Sequence, residues 1–211
     1  MSVLHLSLIS PRHSYQEAAA DHPLFLMLAD IAARHEMPID LHMEAVTQDM
    51  KLPESLSWNP TNPPVLHANI PAFERLLAHN RKARIVWQHI GWDNTGSMTV
   101  ELLRRLLETH PNLYLSMRGE ERLFDRKGNL RPNRIVDVNG RIHPEWLKVI
   151  SDFPDRFMVG TDSFFGAPIG AGGGKSLPTT SKETWGIVEQ LPPELAGKVG
   201  GSNAVRIYNL K

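Results

Sequence analysis

Apolar and polar positions along this chain follow two rhythms that take turns. A period of two runs through Val3–Ile9, with Leu4, Leu6 and Leu8 on one side and His5 and Ser7 on the other, the pattern of a strand. Short apolar runs at 38–43, 84–90, 112–117 and 157–161 predict four more strands. Between them the spacing changes to that of helices. One is expected from Pro23 to about His35, with Leu24, Met27, Leu28 and Ile31 on one stripe. A second opens at Pro71 and carries Phe73, Leu76 and Leu77, and a third carries Val100, Leu103, Leu106 and Leu107. Pro144 opens another, with Trp146, Leu147 and Ile150 inward, and helices from about Ser181 and Gly201 close the chain.

Strands alternating with helices predict parallel βαβ units, hence the α/β class. An eight-stranded barrel takes about 250 residues, and this chain has 211. Five units with elaborated loops fill that length. The expected fold is a partial (β/α)8 TIM-type barrel in a single domain over residues 1–211. The loops are a polar stretch at Ser10–Ser14, a Pro- and Asn-rich one from Gln48 to about Asn69, a turn at Asp93–Gly96, and a long segment from Arg118 to Ile142. Within the last, Asn139-Gly140 between Val136/Val138 and Ile142 predicts a small hairpin.

Charge narrows the partners. Lys and Arg number 23 and Asp and Glu 23, so no basic stripe points to nucleic acid or an anionic membrane. The absence of cysteine excludes disulfides, thiolate metal sites and a cysteine nucleophile. The first residues lack the basic start and cleavage site of a signal peptide, and the expectation is a cytoplasmic protein acting on a small molecule.

The candidate chemistry lies at strand ends. His42 closes Pro38–His42, His89 closes Ile85–His89, and Asp162 closes Phe157–Asp162. Polar residues at the carboxyl ends of successive parallel strands converge on one mouth of an α/β barrel, where active sites are built. By strand alternation His42 shares a face with Asp40, His89 with Trp87 and Ile85, and Asp162 with Gly160 and Met158. Two imidazoles and a carboxylate there suit a divalent metal or general acid–base chemistry. Around them, Glu44 is a candidate acceptor behind the mouth, and Trp92 and Asp93 are candidate substrate contacts. Arg118 could pair with a substrate carboxylate, and Asn203 is expected to cap or pack the final helix. Ile169–Ser176 nearly spells a phosphate-binding loop. The first glycine of that pattern is Ile169 here, and Leu177–Thr180 is not expected to begin a helix, so the loop is read as a cover over the mouth.

Four segments, Leu41–Glu44, Val86–Asp93, Val159–Asp162 and Gly201–Tyr208, resemble the amidohydrolase superfamily, in particular its metal-dependent hydrolase and decarboxylase branch. The resemblance implies that His42, His89 and Asp162 end the fifth, sixth and eighth strands of a TIM barrel, and that Val3–Ile9 is the fourth. It implies a divalent metal, zinc or manganese, on His42, His89 and Asp162, with His89 polarising substrate and Asp162 taking the proton of the attacking water. It further implies hydrolysis of an amide, ester or lactone, or non-oxidative decarboxylation. The family's first-strand His-x-His has no counterpart here, and no lysine precedes Lys51. Relative to that family the chain is expected to lack its N-terminal part. A homo-oligomer covering the open barrel edge, and a non-catalytic partial barrel, follow as expectations of that shortfall.

Overall fold

The structure, a computed structural model, describes residues 4–7, 19–57, 60, 62–119, 123–125, 128–162 and 178–210. Five parallel strands form its sheet: β1 (Leu4–Ser7), β2 (Pro38–His42), β5 (Arg84–Ile90), β6 (Leu113–Met117) and β7 (Phe157–Val159), in the order β1-β2-β5-β6-β7. Each pairs with the strand before it in the sheet, Leu6 facing Leu41, Leu41 facing Trp87 and Met117 facing Val159. Sequential order in a parallel sheet is the barrel arrangement, here left open between β1 and β7. The Pro- and Asn-rich loop adds a small antiparallel ribbon of β3 (Met50–Lys51) and β4 (Val65–Leu66), which no alternation in the sequence announces.

The helices begin where local chemistry allows. Proline occupies the first turn of α1 (Pro23–Arg34), α2 (Ile70–His79), α4 (Pro144–Asp152) and α6 (Pro193–Gly197), where a missing N–H costs nothing. The Thr99 hydroxyl accepts from the Leu102 amide at the start of α3 (Val100–Thr109). Helix α5 spans Pro178–Val188, so Pro178–Thr180 are helical and the expected start at Ser181 is corrected. A proline at the first helical position suits that earlier start. The phosphate-loop-like Ile169–Ser176 and the polar Ser10–Ser14 lie outside the described residues.

Each strand has an outer and an inner face. Ile39, Leu41, Ile85, Trp87, Leu113, Leu115 and Phe157 are buried in one core with Phe73, Leu76, Leu103, Leu106, Trp146 and Ile150 of the helices. Phe73 and Trp87 meet edge to face at 5.1 Å. The inner face carries Val86 and Met158, covered by Ile207, Ala204 and Tyr208 from α7 (Asn203–Ile207) and the residue after it. Helix α7 is anchored at the amino ends of the strands. Arg84 donates to Arg206 O, Arg206 to Asp155 O and Asn209 to Glu36 O.

On α1 the expected apolar stripe is only partly covered. Leu24 and Met27 are 58% and 50% exposed, while Ala29 and Ala32 are buried. The helix stands at the edge of the sheet, against β2 and α2. It turns Ala29 and Ala32 inward, with Leu28 and Ile31 half-buried and Leu24 and Met27 exposed. The hairpin at 136–142 is present as the Val136–Ile142 bridge. No described helix is long and apolar enough to cross a membrane.

Asn203 is the clearest test of this packing. Its buried amide donates to Pro154 O and Phe157 O, each at 2.8 Å. Asn203→Ala is expected to lower stability by about 2–3 kcal/mol, since the buried Phe157 carbonyl and the half-buried Pro154 carbonyl lose their donor. Urea unfolding followed by circular dichroism measures it. An unchanged midpoint would mean that apolar contacts alone hold the terminal segment.

Candidate functional site

The site is built where β2, β5 and β7 end. His42 stays on the inner side with Asp40, as alternation requires. His89 does not share the face of Ile85 and Trp87, which lie in the outer core; that part of the expectation is corrected. The register slips by one residue between Trp87 and Ile90, and His89 has φ 63°. This bulge turns its ring toward the mouth. There His42 Nδ1 and His89 Nε2 stand 2.7 Å apart with their rings edge to face at 4.4 Å. Asp162 follows the end of β7, also left-handed at φ 52°, and its Oδ2 accepts from Arg118 Nη1 at 2.8 Å.

Gly91 makes the turn after His89 feasible. Its φ is 94°, and a Cβ there would stand 2.6 Å from Ile135 Cδ1. Trp92 comes next, with the guanidinium carbons of Arg118 and Arg131 at 4.3 and 4.9 Å from its ring centroid. Asp93 is buried and holds its own loop. Its carboxylate accepts from the amides of Thr95, Gly96 and Met98, the Thr95 hydroxyl and Asn133 Nδ2. The structure thus shows Asp93 as a buried loop support, whereas Trp92 and Arg118 lie together at the mouth.

Glu44, two residues past His42, is buried and accepts from the side chain and backbone amide of Asn94. Asn94 Oδ1 in turn accepts from Arg131 Nη1 at 2.9 Å. Burial pushes the Glu44 carboxyl up to about 7, with the Asp93 charge adding to it against the Asn94 hydrogen bond and Arg131. Asn94 and Arg131 escaped the sequence reading. The only signal for either was a polar residue in a loop between barrel units.

The metal reading meets a partial fit. Across a tetrahedral zinc with bonds of about 2.0–2.1 Å, two nitrogens stand about 3.4 Å apart. The His42 and His89 nitrogens stand nearer than that, at 2.7 Å, the distance of a hydrogen bond. Asp162 is on Arg118 instead, and among the described residues no three His, Cys, Asp or Glu side chains converge. The described side chains supply two donors.

Comparison with known proteins identifies a family and a fold. A family model described as amidohydrolase matches residues 11–210. Among solved structures, the chain is similar to an uncharacterized TIM-barrel protein from Bordetella bronchiseptica, with 17% identity and TM-score 0.53 over 92% of this chain and 53% of that one. It is also similar to amidohydrolase 2 from Bifidobacterium longum subsp. infantis (14%, TM-score 0.48, 90% of this chain and 56% of that). A third is 2,6-dihydroxybenzoate decarboxylase from Rhizobium (14%, TM-score 0.49, 91% and 57%). No curated protein matches. The chain spans about half the length of the solved structures just described.

Glu44 makes stability depend on pH. The folded chain keeps its proton up to about pH 7, against 4.5 for the ordinary group. Its stabilising contribution is full below pH 4.5 and is lost as pH rises to 7. The loss amounts to up to about 3 kcal/mol. Glu44→Gln should flatten that slope and be the more stable form above pH 7. Unfolding midpoints at successive pH values measure this, and parallel curves for both proteins would refute it.

Proposed function

The chain belongs to the amidohydrolase family, and on that footing we propose that it hydrolyses a small carbonyl substrate, an amide, ester or lactone. The observation that carries the reading is the convergence of His42 and His89 at the carboxyl ends of β2 and β5. Water attacks the carbonyl carbon, and Asp162 accepts the proton released as the new C–O bond forms. His89 hydrogen-bonds the carbonyl oxygen as charge develops on it. Asp162 then passes its proton to the leaving group as the old bond breaks. Arg118 gives Asp162 its counter-charge and orients it.

Members of this family are generally metal-dependent, and His42 and His89 would hold a divalent ion, zinc or manganese. Such an ion, when bound, supplies a more acidic water and a polarised carbonyl. Its remaining ligands would come from groups other than the described carboxylates as they stand. Non-oxidative decarboxylation is the second reading, favoured by two guanidinium groups at one mouth. We also propose a second copy of the chain over the open β1 edge and the exposed Leu24 and Met27 of α1, in line with the liability of an uncovered edge strand.

Two measurements test this. Hydrolysis of p-nitrophenyl acetate and of a small lactone should fall by about 10²–10⁴-fold in His42→Ala and Asp162→Asn, and metal content by mass spectrometry should fall with His42→Ala. Unaltered turnover in both variants would leave a partial barrel without this chemistry. Light scattering after size exclusion should give the mass of a dimer, and a monomer at high concentration would end the oligomer proposal.

A further inference from the structure

His42 is the last residue of β2, and the residues after it, Met43, Glu44, Ala45 and Val46, belong to no helix or strand and are buried. Buried backbone of that kind needs a partner for each of its polar groups. Here side chains supply them. Trp87 Nε1 donates to Met43 O at 2.7 Å, Asn69 Nδ2 to Glu44 O at 2.7 Å and Thr95 Oγ1 to Ala45 O at 2.5 Å. Asn69 does more than the other two. Its Oδ1 accepts from the Val46 amide at 2.9 Å, and its own amide donates to Val46 O at 2.9 Å. The carboxamide thus reaches a carbonyl and an N–H two residues apart, as one residue of a further parallel strand would.

Asn69 is the N-cap of α2, where an asparagine side chain ordinarily accepts from the first amides of the helix. It makes no such bond. Its side chain is spent instead on the strip beyond His42. Trp87 and Thr95 tie that strip to β5 and to the loop after it, so the two strand ends that carry the imidazoles are joined, and Asn69 fixes the strip from α2. We propose that Asn69 is a positioning residue, which holds His42 at its 2.7 Å from His89 through the Met43–Val46 strip. The proposal rests on the reading of this pair as catalytic, and Asn69 acts on the reaction only through His42.

Two variants separate this role from that of a helix cap. Asn69→Ala removes both side-chain bonds. Asn69→Asp keeps an acceptor for the Val46 amide and a residue as favourable as asparagine at a helix start, but it has no donor for Glu44 O. The readout is the set of imidazole signals in long-range proton–nitrogen spectra of the whole chain, with those of His42 and His89 assigned by their loss in His42→Ala and His89→Ala. Both Asn69 variants should shift these two and leave His79, which ends α2 and bonds Asp30 at 3.0 Å. Unmoved His42 and His89 signals overturn the proposal. So does an equal displacement of His79, since Asn69 would then act on α2 as a whole. Loss of the folded spectrum in both variants overturns it too, making Asn69 a folding residue. In p-nitrophenyl acetate hydrolysis, kcat should fall about 10- to 100-fold at an unchanged KM. If turnover needs His42 and is untouched by both Asn69 variants, the proposal falls and the hydrolase reading stands. If the two imidazoles shift while the wild type turns over no ester, the positioning role stands and the hydrolase reading falls.

Discussion

Strand β5 carries one residue more than β6 can match between Trp87 and Ile90, and His89 absorbs it in a left-handed backbone conformation. Strict alternation would have sent that imidazole under the helices beside Trp87. The bulge sends it across the sheet to His42 instead. A non-glycine residue in that region stores strain on the order of 1–3 kcal/mol, so the neighbours must hold it. The Trp92 amide donates to His89 O, and the Arg118 amide to Ile90 O, while Gly91 fits against Ile135 only because it lacks a side chain. The same short turn that places the imidazole therefore places Trp92 and ties it to the end of β6.

Everything on the rim hangs from that turn. Asp93 gathers three backbone amides, a hydroxyl and an asparagine amide, which fixes the loop before α3. Asn94, fixed with it, faces Glu44 on one side and Arg131 on the other. A buried carboxyl, an amide and a guanidinium thus form a chain from β2 to the hairpin segment. The Asn94 amide stands between the Glu44 carboxyl and the Arg131 guanidinium and bonds to both. The Arg131 guanidinium stands over the Trp92 ring, 4.9 Å from its centroid.

The sheet and most helices were legible in the sequence because burial writes itself as period: Phe73, Leu76 and Leu77, or Leu103, Leu106 and Leu107, sit inward as their spacing predicts. On α1 the same logic failed. Period says which residues share a side of a helix, and it cannot say that the sheet ends there and leaves Leu24 and Met27 in solvent. His42, His89 and Asp162 were legible at or near strand ends, but not the bulge that brings His89 to His42. A bulge is a mismatch between two strands, and its cause lies in β6 as much as in β5. Arg131 was illegible for a similar reason. Its importance comes from what it meets, Trp92 and Asn94, and these lie some forty residues earlier in the chain.

The two ends of the half-barrel are finished differently. At the amino ends of the strands, the inner face is covered by the chain's own terminal helix. Ile207 packs on Val86 and Met158, and the Tyr208 hydroxyl donates to Asp40 at 2.5 Å with Gln88 beside it. A parallel sheet is stable when both of its faces are covered, and helix α7 supplies the second cover low in the barrel. At the carboxyl ends the inner face is left to the histidine pair, Asp162 and the arginines. Among the described residues, β1 has a neighbour in the sheet on one side only, and Leu24 and Met27 of α1 are exposed. The mouth and the floor are thus set by contacts already present in this chain, and a partner along that side would meet a site whose inner geometry is fixed beforehand.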